Sequence, residues 1–221
     1  MASCMLGIFC VLSILAGFGH SLTCKVCMQS FSSYCSGTDV VCPAGHACAS
    51  SYTLTTGDGS KLSEEFARGC VPTSRCNKTS SLSLPRGKIK MGVSCCFQDN
   101  CLPPFPTLPK DNFDPNGVTC ATCSSADSDW CYTKDTMKCN GDENMCILES
   151  SHYYKPVDSL LSLRGCATKS MCDLGMQAIS YGQLKMTMNI TCTSAGSPLY
   201  SHLQLLFSFI VASVLSFRMM I

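Results

Sequence analysis

Apolar residues form continuous runs near the two ends of the chain and alternate with polar residues in between. The first run covers residues 5–18 and the second covers residues 205–217. Between them, residues 88–93 (KIKMGV) and 185–190 (KMTMNI) alternate with a period of two, which is the pattern of a half-buried β-strand. No stretch between the ends shows a convincing helical period. The pattern predicts an all-β protein between two terminal targeting segments.

The first run has the form of a secretory signal. It is followed by small residues that suit signal peptidase, with cleavage after Gly19 or Ser21. The alternative, a membrane anchor, needs about 20 apolar residues, and this run is shorter. No Lys or Arg precedes the run, which departs from the usual signal pattern. We expect residues 1–21 to be a signal peptide that is absent from the mature protein.

The second run follows a cluster of small residues and a short spacer, residues 198–204. This order is typical of a glycosylphosphatidylinositol (GPI) attachment signal. A transmembrane helix is the competing interpretation, but the run is short and only Arg218 follows it as a possible cytoplasmic anchor. We expect residues 194–221 to be this signal, with attachment at Ser194 because Ala195 and Gly196 are small; Gly196 and Ser197 are the alternatives.

The cysteines between these segments repeat. The first set lies at positions 24, 27, 35, 42, 48, 70, 76, 95, 96 and 101, and the second at 120, 123, 131, 139, 146, 166, 172 and 192, with offsets of 96 to 98 for the eight matched positions. The tripeptide Arg-Gly-Cys ending at Cys70 recurs at Cys166, and Tyr34 matches Trp130, both at an offset of 96. The chain is therefore one module duplicated, over residues 22–101 and 120–193. Residues 102–119 hold five of the ten prolines and no cysteine, which predicts a semi-rigid linker.

Composition supports a secreted disulfide scaffold. Roughly one residue in ten of the mature span is cysteine, and modules of about 75 residues rarely build a sufficient apolar core without such bonds. Within the first module, residues 49–56 and 61–68 flank Gly57-Asp58-Gly59 and predict a hairpin. Acidic and basic residues nearly balance, so the chain offers no large field for nucleic acid.

The spacing Cys-x2-Cys-x7-Cys, the step from Cys70 to Cys76 and the closing CCFQDNC motif resemble the lymphocyte-antigen-6/urokinase-receptor (LU, three-finger) superfamily. The tandem arrangement is similar to the gamma-type phospholipase A2 inhibitors and to GPI-anchored two-domain members. The resemblance implies a small, all-β, disulfide-rich fold of two tandem three-finger domains. It also implies the disulfides Cys24–Cys48, Cys27–Cys35, Cys42–Cys70, Cys76–Cys95, Cys96–Cys101, Cys120–Cys146, Cys123–Cys131, Cys139–Cys166 and Cys172–Cys192.

Two positions depart from the family pattern. Leu102 stands after Cys101, where the family usually has an asparagine that packs into the palm. The second module ends at Cys192, because Thr193 replaces the expected adjacent cysteine and no partner for it follows. Its closing disulfide is therefore missing, and we expect the second module to be the less stable one.

The candidate chemistry is sparse. The Cys-x2-Cys pairs could chelate zinc or exchange disulfides, but in a secreted chain whose cysteines pair completely they indicate structural disulfides. Only His46 and His152 belong to the mature span, neither recurs in the other module, and no GxSxG or HExxH motif is present. We expect no enzyme activity, no metal and no cofactor.

Aromatic and large apolar residues on the predicted fingers are the candidates for recognition. They are Tyr52 and Phe66 in the first module and Tyr153, Tyr154, Leu160 and Leu161 in the second; burial against the neighbouring module is the alternative. For Tyr34 and Trp130 we expect packing on the palm disulfides. Asn77 and Asn189 begin sequons for N-glycosylation.

These features lead to one functional hypothesis and one alternative. The hypothesis is a non-catalytic recognition protein on the extracellular face of the plasma membrane, anchored by GPI in the outer leaflet, that binds an extracellular protein ligand through its three-finger domains. The alternative, which the resemblance suggests, is a secreted inhibitor whose partner is a secreted phospholipase A2. Both exclude nucleic acid as a partner, and fold resemblance alone does not identify the ligand.

Overall fold

The computed structural model describes residues 21–194. The predicted signal peptide, apart from Ser21, and the predicted GPI signal, apart from Ser194, lie outside the described residues. Within the described range, no helix combines the length and the apolar character needed to cross a membrane.

The described chain consists of β-strands with one short helix and one 3-10 turn. The elements are β1 (Thr23–Ser30), β2 (Thr38–Val41), β3 (His46–Gly57), β4 (Ser60–Pro72), a 3-10 turn (Thr73–Arg75), β5 (Thr79–Leu84), β6 (Gly87–Cys96), β7 (Pro115–Ala121), β8 (Cys123–Ser125), β9 (Thr136–Asn140), β10 (Met145–Lys155), β11 (Ser159–Ala167), α1 (Lys169–Cys172), β12 (Gln177–Tyr181) and β13 (Leu184–Ser194).

The β3–β4 hairpin is present where the sequence predicts it. Its strands are antiparallel, with Ser50 opposite Arg68 and Tyr52 opposite Phe66. Asp58 and Gly59 form the turn with φ values of 48° and 78°. Positive φ at both central positions is the geometry that matches the twist of a two-residue hairpin, and Asp-Gly is among its preferred sequences.

Contacts along the chain define two compact units. The first unit runs to Thr79 and resumes from Ile89 to Pro109; the second comprises Ser80–Lys88 and the chain from Lys110 onward. Residues 80–88, which lie in the predicted first module, therefore count with the second unit. Within that unit, the Ser81 hydroxyl donates to Glu143 over 2.6 Å, and Lys88 lies 3.4 Å from the same carboxylate.

The first unit is a sheet in the order β6-β3-β4-β1-β2. Its buried centre is largely half-cystine. One cluster contains Cys24, Cys42 and Cys48, and another contains Cys27, Cys35 and Phe66. Because Phe66 is the one large apolar side chain among these six, cross-links rather than apolar area hold the strands together.

The second unit is a sheet in the order β12-β13-β10-β11-β5, with β8 paired to β11, and a separate β7-β9 pair. Cys120, Cys139 and Cys166 form its central buried cluster. This is the counterpart of Cys24, Cys42 and Cys70 at an offset of 96 to 97. The duplication seen in the sequence is thus a duplication of the buried disulfide centre.

The described residues contain nine disulfide bonds, and the pairs coincide with those that the family resemblance implies. The Cys42 sulfur lies 3.1 Å from the Cys24 sulfur, and the Cys139 sulfur lies 3.4 Å from the Cys120 sulfur, so two disulfides touch in each module. The bonds are Cys24–Cys48, Cys27–Cys35, Cys42–Cys70, Cys76–Cys95, Cys96–Cys101, Cys120–Cys146, Cys123–Cys131, Cys139–Cys166 and Cys172–Cys192.

The closing loop of the first module makes contacts that do not involve Leu102. The backbone N–H of Asn100 donates to the Thr23 carbonyl over 2.8 Å, and the Thr23 N–H donates to the Asp99 carboxylate over 2.7 Å. Leu102 itself is exposed. The residues before Cys101 therefore close this palm.

Two stretches of the predicted linker have roles of their own. Pro103 and Pro106 are buried, and the carbonyls of Pro103 and Pro104 accept hydrogen bonds from the first sheet. Pro115–Ala121 is strand β7. The all-β, disulfide-rich fold class of two tandem three-finger domains is confirmed, and the proline segment adds a packed element to it.

Candidate functional site

An arginine and an aromatic ring meet at the same place in both modules. The Arg68 guanidinium lies 5.3 Å from the centre of the Tyr34 ring, and the Arg164 guanidinium lies 4.1 Å from the centre of the Trp130 ring. The rings are 61% and 55% exposed. Packing on the palm disulfides was expected for these rings, but the contact that the structure gives each of them is a cation–π contact with the repeated arginine.

In the first module, residues 103–107, here called the proline strap, lie over one face of the sheet. The Ser50 hydroxyl donates to the Pro103 carbonyl over 3.3 Å, and the Ser94 hydroxyl donates to the Pro104 carbonyl. Ser50 is fully buried and Ser94 is 8% exposed. Gly92 permits this approach, because a Cβ at that position would lie 2.1 Å from the Thr107 carbonyl oxygen.

Phe105 anchors the strap on the two aromatic residues that the sequence offered as recognition groups. Its ring stacks on Phe66 with centres 5.7 Å apart and packs against Tyr52 at 4.8 Å. Phe66 is only 1% exposed. The prediction that Tyr52 and Phe66 present a binding surface is therefore wrong for Phe66 and leaves Tyr52 half-buried, because the strap uses both rings for packing.

The Tyr52 hydroxyl has its own partner below the strap. It donates to the Glu64 carboxylate over 2.7 Å. Burial, and then the bond and charge of Glu64, raise the pKa of Tyr52 to about 12, while the bond from Tyr52 and then that from Lys61 lower the pKa of Glu64. Tyr52 therefore stays a neutral hydrogen-bond donor at physiological pH.

The corresponding face of the second module is an open groove with a volume of about 330 Å³. Thr191 on β13, Leu148 on β10 and Arg164 on β11 form one cross-strand row, because Leu148 pairs with both of the others. Trp130 stacks on the arginine end of this row. We call this the second-module groove; it is lined by Ala121, Trp130, Cys146, Ile147, Leu148, Arg164, Thr191, Cys192 and Thr193.

The groove contains a polar group with an unmet hydrogen bond. The Nε atom of Arg164 is buried and has no hydrogen-bond partner within residues 21–194. In the first module, Arg68 likewise has a bare Nε, but its guanidinium donates to the Cys35 carbonyl over 3.3 Å. The same atom is unpaired in both modules, including the one that the strap covers, so it does not distinguish the groove.

The β10–β11 hairpin carries the other recognition candidates of the second module. Near its tip, Tyr154 is 46% exposed and Val157 is 68% exposed. His152 packs on the Tyr154 ring with centres 4.0 Å apart and lies 2.8 Å from the Asp158 carboxylate. Leu160, by contrast, is half-buried. Tyr153 and Leu161 are also half-buried. Of the predicted residues, Tyr154 offers the most exposed surface, and Val157 joins it.

The cysteine clusters can be assessed as metal sites. The sulfurs of Cys24, Cys42 and Cys70, and those of Cys120, Cys139 and Cys166, lie within 4.8 Å of one another. Every one of these sulfurs belongs to a disulfide bond. Because the thiolate is the metal ligand and a disulfide has none, their proximity reflects packing of two disulfides in each palm.

Each of the two histidines has a polar contact within its own unit. The His46 ring nitrogen lies 3.2 Å from the Ala44 carbonyl oxygen, and His152 faces Asp158. Neither histidine hydrogen-bonds a Ser, Thr or Cys side chain among the described residues. The arrangement brings together no nucleophile and base in that part of the chain.

The predicted modification sites are all accessible. Asn77 is exposed with a φ of 56°, and Asn189 is exposed on β13 opposite Ser150. Ser194 is exposed at the end of β13. Exposure is compatible with both sequons and with the attachment residue, and these assignments stay predictions.

Sequence reasoning missed Phe105 and the role of the repeated arginines. Arg164 and Trp130 each lie 96 residues after Arg68 and Tyr34. A repeated arginine and a repeated aromatic residue could therefore have predicted a cation–π contact in each module. Nothing in the linker composition signals that Phe105 stacks on Phe66, because that contact joins residues far apart along the chain.

Comparison with known proteins adds the family. The sequence model of the u-PAR/Ly-6 domain matches residues 20–104 and 116–197. A gamma-type phospholipase A2 inhibitor chain from Gloydius brevicaudus siniticus is 27% identical over 83% of this chain and 92% of its own length. The 25 kDa chain of a phospholipase A2 inhibitor from Naja kaouthia is 32% identical over 50% of this chain and 60% of its own.

Two further similarities are more distant. The urokinase plasminogen activator surface receptor of Aotus trivirgatus is 34% identical over 36% of this chain and 24% of its own length. A crystal structure of mouse TEX101 aligns with 78% of this chain and 99% of its own at 16% identity, with a TM-score of 0.34. The family match covers both modules with their cysteine frameworks, and the chain belongs to the u-PAR/Ly-6 domain family.

Proposed function

We propose that this chain is a non-catalytic recognition protein, held on the extracellular face of the plasma membrane by a GPI anchor at Ser194, that binds an extracellular protein ligand. The mature protein would span residues 22–194, with modules at residues 22–101 and 120–193 joined by residues 102–119, and with glycans at Asn77 and Asn189. The family supports the coarser part of this statement, a protein-binding role outside the cell, because the relatives are named as inhibitors and as a receptor.

One observation carries the binding role. The second module exposes Trp130, Tyr154 and Val157 on strands and loops whose positions are set by disulfides. Aromatic side chains held rigidly lose little entropy on binding and dominate many interfaces. In the first module the proline strap covers part of the equivalent face, although Tyr34 stays 61% exposed there. We assign ligand binding to the second module, where no such strap lies on that face within residues 21–194.

The anchor can be tested on expressing cells with phosphatidylinositol-specific phospholipase C. We expect the enzyme to release the protein, with an intact mass under non-reducing conditions that fits cleavage before residue 195 and nine disulfides. A matched variant changes Ser194, Gly196 and Ser197 to Leu, which replaces each candidate attachment residue by a large one. It should no longer appear as enzyme-released protein. Release without the enzyme, with C-terminal residues retained, would contradict the anchor.

A second candidate function is inhibition of a secreted phospholipase A2. The similarity to the gamma-type inhibitor over 83% of this chain favours it. The assay is hydrolysis of phospholipid vesicles by a secreted phospholipase A2 with and without an equimolar amount of the processed protein. Binding of the enzyme to the processed protein in the absence of vesicles supports this function, whereas inhibition without such binding indicates competition for lipid and counts against it.

A further inference from the structure

The duplication provides an internal template for the second-module groove. The matched cysteines align Ser50 with Leu148, Arg68 with Arg164, and Ser94 with Thr191. The strand pairing agrees, because Ser50 lies opposite Arg68 and Leu148 lies opposite Arg164. The groove is therefore the same place on the sheet that the proline strap covers in the first module.

The two modules treat this place differently. In the first module a Cys96–Cys101 disulfide returns the chain over the sheet, and the strap carbonyls accept the Ser50 and Ser94 hydroxyls. In the second module Thr193 stands in place of Cys96, and no segment within residues 21–194 takes the position of the strap. Thr191 is exposed and Leu148 is half-buried, whereas their counterparts are buried.

Ser150 and Ser162 stand where Tyr52 and Phe66 hold Phe105 in the first module, so the groove has no counterpart of that aromatic anchor. The other side chains suit prolines and carbonyls. Leu148 and the Trp130 ring offer apolar surface to proline rings, and aromatic-lined grooves are how proteins bind extended proline-containing segments. Such segments expose their carbonyls, because the polyproline II conformation makes no internal hydrogen bonds. The Thr191 hydroxyl, whose bond to the Leu148 carbonyl is long at 3.5 Å, and the Arg164 guanidinium are donors on the groove wall.

We propose that the second-module groove binds a short, extended, proline-containing segment of a partner protein. This rests on the proposed function, since it specifies the chemistry of the ligand that the second module recognises. The prolines pack on Leu148 and Trp130, and the segment's carbonyls accept hydrogen bonds from Thr191 and Arg164. The template for the occupant is the sequence that covers the equivalent place in this chain, Leu-Pro-Pro-Phe-Pro at residues 102–106.

The bound segment is limited in length by Asn189. In the first module Gly92 lets the strap continue along β6, since even a Cβ there would lie 2.1 Å from the Thr107 carbonyl oxygen. The aligned residue in the second module is Asn189, which is exposed on the same face of β13 as Thr191. A side chain or glycan at Asn189 therefore stops the segment, and we expect recognition of about five residues.

The test uses the fluorescence of Trp130, the one tryptophan of the chain. The probe is the peptide acetyl-LPPFP-amide, titrated into the processed full protein purified from mammalian cells. We expect a saturable change in Trp130 emission and protection from acrylamide quenching. The control peptide, acetyl-LAAFA-amide, should have an affinity at least about tenfold lower. No saturable change with the proline peptide, or equal binding of the two peptides, overturns the proposal.

Paired variants separate the groove from general effects on the fold. Leu148→Asp places a charge where proline rings would pack, and Arg164→Gln removes a donor; each should weaken peptide binding about tenfold or more. The matched control is Arg68→Gln in the first module, which should leave binding unchanged. Circular dichroism and non-reducing mass verify the fold of each variant. Equal loss in Arg68→Gln and Arg164→Gln would contradict binding at the groove.

Two further outcomes are informative. If Trp130 in the processed protein already resists acrylamide quenching without peptide, the chain's own residues fill the groove and the proposal is overturned. If the peptide does not bind while the protein is still released by the phospholipase C and still binds a protein ligand through Tyr154, this inference fails and the proposed function stands. A Tyr154→Ala variant makes that distinction.

Discussion

The two modules share a disulfide centre, an arginine stacked on an aromatic ring and a cross-strand row on one face of the sheet, yet that face is covered in one and open in the other. The difference begins after the last strand. Cys96 and Cys101 turn the first module's chain back over its own sheet, whereas β13 reaches Ser194 with Thr193 in place of a cysteine. Within residues 21–194, the module that lacks the closing disulfide is the one whose equivalent face is uncovered.

The side chains changed together with the cover. Ser50 donates a hydrogen bond to the strap, and its counterpart is Leu148. Gly92 leaves room for the strap, and its counterpart is Asn189. Leu148 cannot donate a hydrogen bond, and Asn189 would obstruct a strap that followed the course of residues 103–107. The second module is therefore not simply a first module without its cover, and under the binding proposed above its occupant is shorter than the strap.

The largest effect should come from removing the matched palm disulfides. Replacing both Cys139 and Cys166 by Ser, or both Cys42 and Cys70, should lower the free energy of unfolding of the affected module by about 2–5 kcal/mol. We expect the loss to be more severe for the second module, which has four disulfides rather than five. Secretion yield and hydrogen exchange of the two modules measure it. Equal protection loss in both modules would contradict the expected difference.

A smaller effect is expected when the strap loses its anchor. Phe105→Ala removes a ring that is half-exposed but stacked on Phe66 and Tyr52, which should cost about 1.5–3 kcal/mol, less than a fully buried phenylalanine. Phe113→Ala is the control, because that ring is 76% exposed. Thermal unfolding gives the difference, and hydrogen exchange should rise across β3 and β4. A neutral Phe105 variant would show that the strap is held without the aromatic contacts, by its prolines and by the hydrogen bonds from Ser50 and Ser94.

Crowding under the strap offers a third comparison. Gly92→Ala places a Cβ 2.1 Å from the Thr107 carbonyl oxygen, so the strap must move, at a cost of about 1–2 kcal/mol. At Gly69 an added Cβ meets nothing within 4 Å, and Gly69→Ala should be close to neutral. Denaturant unfolding of the two variants tests this. If both behave alike, the strap does not lie close to β6 in solution.

The smallest effect concerns a half-buried acid of the second module, Glu149. Burial raises the pKa of Glu149, and the hydrogen bond from Ser151 opposes that shift only in part. A carboxyl group whose pKa is raised on folding stabilises most below its unfolded value, near 4.5, and loses that contribution as pH rises through the folded value. Glu149→Gln should therefore raise the unfolding temperature at pH 7 and leave it nearly unchanged at pH 4. Glu65→Gln, at an exposed acid, is the control and should change neither.

The sequence could predict the features that repeat. The offsets of the cysteines define two modules, and the Asp58-Gly59 turn between two polar, β-prone runs predicts the β3–β4 hairpin that is present. Such signals are local or periodic, so they can be read without knowing which strands are neighbours. The exposure of the finger residues was harder to predict. Phe66 is covered by Phe105, which lies beyond the last cysteine of the first module.

The sequence by itself determined the fold class, the duplication and the absence of a closing cysteine after Cys192, since these depend on residue identity and spacing. Only the tertiary structure decided which faces are covered. A proline-rich segment has the same composition whether it is a linker or a strap, and its role depends on contacts with Ser50, Phe66 and Gly92, which precede it along the chain. Burial is a property of pairs of distant residues, and composition does not contain it.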